Sequence, residues 1–241
     1  MHKLILIVII FYSIHFSSHL AAESLNESVI LLHGLGDVKL SMLKLESALK
    51  DEGYFTKNIG YSTTGETIES LSEKELTKVV ERYKKIGFKK IHFVTHSMGG
   101  LIVRYYLQDH TLPIGSRIVM LSPPNHGSEI ADHFREGAFY KLIVGEVGQE
   151  LVTDSNILSE LKPIVPEVGI IAGNKSSNRY FSKIIPGEDD GRVAVDNTKL
   201  TEMKDFMIVP STHLTIKYNN EVIKQTAFFL KNGKFKHIEK E

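Results

Sequence analysis

The chain has 241 residues, with 29 lysines and arginines against 29 aspartates and glutamates, 42% hydrophobic residues, and neither cysteine nor tryptophan. That length and apolar share fit one sizeable domain with its own core, or at most two small ones, and exclude a disordered or collagen-like chain. The balanced charge offers no broad basic field for nucleic acid, and the lack of cysteine excludes a thiol nucleophile, a disulfide framework, an iron–sulfur cluster and a thiolate zinc site.

At the N-terminus, Met1-His2-Lys3 carries one lysine, Leu4 to Ile14 is almost wholly apolar, and His15 to Ala22 turns polar and ends in small residues. This is the three-part form of a secretory signal, and its apolar part is shorter than the about 20 residues a membrane helix needs. The expectation is a signal peptide over residues 1–22, a single domain over 23–241 and export, to a bacterial periplasm or beyond. Retention as an N-terminal anchor is the alternative.

Val29-Ile30-Leu31-Leu32 predicts a buried strand, and Ser41 to Glu52 places Leu43, Leu45, Ala48 and Leu49 along a helix that Gly53 ends. A second strand is expected from Phe55 to Ile59, then a helix from about Thr67 to Ile86 with Leu71, Leu76, Val79, Val80 and Tyr83 inward. Strands are expected at Ile91 to Val94, Arg117 to Leu121, Val168 to Ala172 and Phe206 to Val209, and helices at Gly99 to Gln108 and Glu221 to Leu230. Strands separated by helices imply an α/β fold, a mostly parallel sheet with helices on both faces. Residues 128–166 break this rhythm with interleaved apolar and charged positions. They read as a short helical lid insertion in which Phe139 and Leu142 line an acyl-binding wall, or as helices that complete the core.

The chemical signal is strongest at Phe93-Val94-Thr95-His96-Ser97-Met98-Gly99-Gly100, where a strand turns abruptly into a helix. Such a corner pushes the Ser97 hydroxyl out of the carboxyl end of the sheet, the arrangement of a nucleophile elbow; a plain helix cap at Ser97 is the simpler reading. A serine attacks well only when a base takes its proton and donors hold the oxyanion that forms. The loop His33-Gly34-Leu35-Gly36 can aim the Leu35 amide at that oxyanion, and the Met98 amide is the second donor. His33 then holds the loop rather than reacting.

Acid and base follow the serine in chain order in this arrangement, each in a loop beyond a late strand. For the base that leaves His213, just past Phe206 to Pro210, and His237 in the basic tail; His213 has the better position. For the acid, Gly187-Glu188-Asp189-Asp190-Gly191 supplies the carboxylates. Asp190 is preferred because Gly191 allows a tight turn that aims it at an imidazole; Asp189 is the rival, and Asp196 serves if the run is only a solvated turn.

Together His33-Gly34-Leu35-Gly36, Thr95 to Gly100, Pro123-Pro124-Asn125-His126-Gly127-Ser128, Asp189-Asp190-Gly191 and Thr212-His213 make the chain resemble the α/β-hydrolase fold in its bacterial lipase and esterase branch, over about residues 28–232. Thr95 departs from the pattern, which usually has glycine there. The resemblance implies Ser97 as nucleophile, Asp190 as acid, His213 as base, and Leu35 and Met98 as oxyanion donors. It implies cleavage of a small-molecule or lipid carboxylic ester of short to medium acyl length, with no cofactor. Acyl transfer to an acceptor other than water needs the same residues; a non-catalytic binding module is the reading from another class. No histidine and carboxylate grouping has metal-ligand spacing, so no metal is expected. Lys84, Lys85, Lys89 and Lys90 form a basic cluster that reads as a solvated surface or as a peripheral contact with anionic lipid. No obligate protein partner is evident.

Overall fold

The structure, a computed structural model, describes residues 26–137 and 145–237. The strands expected from the sequence form β1 (Glu27–Leu32), β2 (Phe55–Ile59), β3 (Lys90–His96), β4 (Arg117–Leu121), β5 (Glu167–Gly173) and β6 (Asp205–Val209). They make one sheet of six strands in the order β2-β1-β3-β4-β5-β6, with every neighbouring pair parallel.

Alternation along each strand divides the core into two layers. Ile30, Leu32, Phe93, Ile118, Met120 and Ile170 pack under α2 (Ile68–Ser72), α3 (Lys78–Ile86) and α4 (Gly99–Asp109). Val29, Leu31, Val94, Val119, Leu121 and Ile171 pack under α1 (Leu43–Asp51) and the last helix, Asn220–Asn232. Both faces of the sheet's centre are covered, which is why β1, β3, β4 and β5 are buried almost throughout. Gly169 of β5 shows how closely the last helix approaches, since a Cβ there would stand 2.6 Å from the Phe229 ring.

The helix expected as one piece from Thr67 to Ile86 is interrupted. Thr67 caps α2 by accepting a hydrogen bond from the Ser70 amide, a π-helical turn occupies Glu73–Thr77, and α3 runs on to Gly87 in the left-handed conformation. The reason lies in the apolar spacing. Leu71 and Leu76 are both buried yet five residues apart, and a π turn absorbs the extra residue so that Leu76, Val80 and Tyr83 stay on the core side.

The chain passes from β1 outward to β2, then returns across β1 to β3. This reversal opens a crevice at the carboxyl ends of β1 and β3, the place where open parallel sheets bind ligands. His33 to Leu35 leave β1 there and Ser97 leaves β3 there. The segment 128–166 contains α5 (Glu129–Phe134), a helical turn at 145–149 and the helix Asn156–Glu160. Val147, Val152, Leu158 and Ile164 of this segment join the core; Ala131 joins it too and also borders the crevice, as does Ile130, which packs against Ile185 and Ala194. Phe139 and Leu142 lie outside the described residues, as does the expected signal over 1–22. Within the basic cluster, Lys84 pairs with Glu81 at 2.8 Å and Lys90 with Glu27 at 2.6 Å. Among the described residues no helix is long and apolar enough to cross a membrane.

Candidate active site

Ser97 stands between the end of β3 and the start of α4 with φ of 52°. A non-glycine residue in that left-handed region costs about 1–3 kcal/mol and persists only where its surroundings enforce it. Here the Ser97 amide donates to the Leu121 carbonyl at 2.9 Å, and α4 begins at Gly99, where a Cβ would lie 2.9 Å from the carbonyl oxygens of both Leu32 and His33. Glycine is therefore required where the helix passes the end of β1. Thr95 fits in place of the usual glycine because the residue facing it, Gly100, has no side chain; a Cβ there would be 3.4 Å from Thr95 Oγ1.

The Ser97 hydroxyl is 3.0 Å from His213 Nε2, and His213 Nδ1 is 2.8 Å from Asp190 Oδ2. Since Nδ1–H donates to a carboxylate, Nε2 of the neutral ring is free to accept from the hydroxyl. The His213 amide also donates to the Asp190 carbonyl at 2.8 Å, fixing the two loops to each other. Asp190 Oδ1 accepts from the amides of Arg192 at 3.0 Å and Val193 at 2.9 Å. Burial pushes its carboxyl pKa up, but the His213 charge, the His213 hydrogen bond and donors from Ser122 and Val193 outweigh burial, leaving the carboxyl below its ordinary value.

The rival assignments separate cleanly. Asp189 accepts from the Gly191 amide at 2.7 Å and the Ser182 hydroxyl at 3.1 Å, so it braces the turn. Asp196 pairs with Lys199 at 2.7 Å on the surface, and His237 pairs with Asp205 at 2.8 Å. His33 stacks on Tyr61 at 4.1 Å between ring centroids, and the Tyr61 hydroxyl donates to the His33 carbonyl. It holds its loop. Leu35 borders the cavity beside Ser97, and among the described residues neither its amide nor that of Met98 donates to another protein group. Two unspent donors thus flank the serine.

Sequence reasoning missed several neighbours. Ser122, just past β4, has φ of 45°, and its hydroxyl bonds Asp190 while accepting from the Gly173 amide at 3.2 Å. A serine directly after a strand, as at Ser97, was the available signal. Lys217 is 3% exposed at its side chain and reaches Asp37 at 2.6 Å, tying the loop after His213 to the loop after β1. Nothing in the sequence pairs residues so far apart. His96 donates from Nε2 to the His213 carbonyl at 2.8 Å; burial first, then the charges of His213 and Lys217, hold its pKa well below the ordinary value. It is a neutral prop for the His213 loop.

These groups line a cavity of about 450 Å³ walled by Leu35, Pro124, Ile130, Ala131, Leu151 and Leu214. Among the described residues no cluster of histidines and carboxylates gathers that could hold a metal.

Residues 27–142 match the family described as alpha/beta hydrolase fold. The chain is similar to the mature form of the lipase BlEst2 from Bacillus licheniformis, with 20% identity, a TM-score of 0.69 and coverage of 84% of this chain and 91% of that one. It is similar to the lin2722 gene product of Listeria innocua at 20% identity and a TM-score of 0.59, covering 88% of this chain and 96% of that one. It also resembles the phospholipase PlaB of Legionella pneumophila at 19% identity and a TM-score of 0.56, over 72% of this chain but 45% of that one.

Proposed function

Since the chain has the α/β-hydrolase fold, we propose that it is a serine hydrolase that cleaves carboxylic esters through an acyl-enzyme on Ser97. The observation that carries this reading is the unbroken hydrogen-bonded series from Ser97 Oγ through His213 to Asp190 at the floor of the crevice. His213 takes the hydroxyl proton as Ser97 attacks the carbonyl carbon, and the Leu35 and Met98 amides hold the oxyanion. The tetrahedral species collapses as His213 returns the proton to the leaving alcohol. Water then attacks the acyl-enzyme with the same proton movements and frees the acid. Asp190 keeps Nδ1 protonated and favours the imidazolium formed in between.

The mostly apolar cavity of about 450 Å³ suits a short or medium acyl chain. The names lipase and phospholipase borne by two of these structural neighbours are compatible with an ester substrate, small or lipid. Steady-state rates on p-nitrophenyl esters of rising acyl length test the reading. Turnover should peak at short or medium chains and fall by several orders of magnitude in Ser97→Ala. Equal rates in wild type and Ser97→Ala would refute it.

We further propose that residues 1–22 are a signal and that the protein works outside the cytoplasm. Intact mass spectrometry of the exported fraction should give a chain starting near Glu23. Full-length chain held in membranes would mean an anchor.

A further inference from the structure

Two recesses meet at His213. One is the mostly apolar cavity that holds Ser97. The other, of about 170 Å³, is lined by Ser177, Asn178 and Thr212 together with Asp190, Arg192 and His213. In the ester-hydrolase reading His213 hands its proton to the leaving oxygen, so the alcohol half must lie on the histidine's side, while the acyl half takes the apolar wall.

Among the described residues, each charged group lining these recesses has a side-chain partner except one. Lys217 pairs with Asp37 at 2.6 Å, and Asp190 accepts a hydrogen bond from His213 Nδ1 at 2.8 Å. Arg192 borders both recesses, its residue is exposed, and among the described residues no carboxylate lies within ion-pair distance of it. Residues 138–144 contain no acid to supply one. The Arg192 backbone is nonetheless fixed. Its amide donates to Asp190 Oδ1 at 3.0 Å, its carbonyl accepts from the Ser128 hydroxyl at 2.6 Å, and Gly191 turns the chain just before it with φ of 93°. A tethered Cα on a residue that lines both recesses, carrying a guanidinium with no carboxylate partner among the described residues, is a fork suited to phosphate or carboxylate oxygens. Asn178 adds to this. Its Oδ1 is used by the amides of Tyr180 at 3.0 Å and Phe181 at 3.3 Å, while its Nδ2 donors are unspent among the described residues.

We propose that the alcohol half of the substrate is small and polar and carries an anionic group, phosphate or carboxylate, that Arg192 binds; this rests on the ester-hydrolase reading. The acyl–oxygen bond breaks, the alcohol oxygen takes the proton from His213, and the anion leaves with the alcohol unchanged.

The test compares kcat/KM for 1-butyrylglycerol, 1-butyrylglycerol 3-phosphate and O-butyryl lactate in wild type, Arg192→Gln and Arg192→Lys, with p-nitrophenyl butyrate as an independent readout of the serine. An anionic ester should be preferred over the neutral one by roughly tenfold or more, the scale of a hydrogen bond to a charged group. Arg192→Gln should abolish the preference, Arg192→Lys should keep part of it, and added salt should shrink it. A preference with the soluble esters assigns the anion to a free small molecule. One confined to micellar 1-palmitoylglycerol 3-phosphate, and lost in Arg192→Gln, assigns it to a lipid headgroup. No preference in wild type, or one that survives in Arg192→Gln, overturns the proposal. Cleavage of p-nitrophenyl butyrate without cleavage of any of the glycerol or lactate esters overturns it while leaving Ser97 as nucleophile. If no ester at all is cleaved, both readings fall together.

Discussion

Asp190 is 2% exposed, and a carboxylate so buried would ordinarily protonate; the histidine and the amide donors around it reverse that tendency. Asp190→Asn should lower turnover by about three to four orders of magnitude, because an amide no longer fixes the tautomer of His213. Asp189→Asn loosens a turn that touches no reacting group, so its loss should be far smaller. The reverse order in parallel kinetic assays would move the acid by one residue. Asp37, across the same crevice, is also depressed: burial raises its pKa, but the Lys217 hydrogen bond and other neighbouring donors outweigh burial. Its contribution to stability is therefore full above the ordinary carboxylate value of about 4 and fades as pH falls through the lowered one. Melting curves of wild type and Asp37→Asn should differ at neutral pH, begin to close near pH 4 and meet as pH falls through the lowered Asp37 value. A constant gap would mean that the charge of Asp37 is not what stabilises. Lys217→Met leaves Asp37 without its partner and should cost about 1–3 kcal/mol in urea unfolding.

The elements were legible wherever burial wrote a regular apolar pattern. β1, β3, β4 and β5 are buried on both faces, and their continuous Val, Ile and Leu runs announced them. The π turn at Glu73–Thr77 was missed although the spacing carried a signal, since Leu71 and Val80 are both buried yet would fall on opposite faces of a straight helix of about 3.6 residues per turn. The site was legible in part for the same reason. Ser97, Asp190 and His213 follow strands and sit among glycines or prolines, so local chemistry marked them. Asp37 with Lys217, and Ser122 with Asp190, depend on contacts between distant loops, which a linear pattern does not carry. The same limit applied to residues 128–166, whose described apolar positions serve core and crevice alike. Two substitutions separate those roles. Phe229→Ala would empty the space beside Gly169 and should cost about 3–5 kcal/mol, read by denaturant unfolding, with little change in ester preference. Ile130→Phe fills the cavity wall and should shift chain-length preference toward shorter acyl groups with little change in Tm. A large fall in Tm with the preference unchanged would make Ile130 a core residue.

Across the whole molecule, one topological fact organises the rest. The reversal of strand order between β1 and β3 brings the Leu35 loop beside Ser97, while the loops after β4, β5 and β6 supply Ser122, Asp190 and His213 along the same carboxyl edge. Five separate loops converge because every strand is parallel and all their carboxyl ends point one way. The fold thus places a strained serine, a tethered imidazole and two free amides around one cavity, and the proposed hydrolysis requires those parts to act together. Peptide mapping by mass spectrometry after treatment with a fluorophosphonate probe tests this most directly. A single adduct on Ser97, absent when His213→Ala is treated under the same conditions, is the predicted result. An untouched Ser97 in the wild-type protein, or an adduct on another serine in its place, would contradict it.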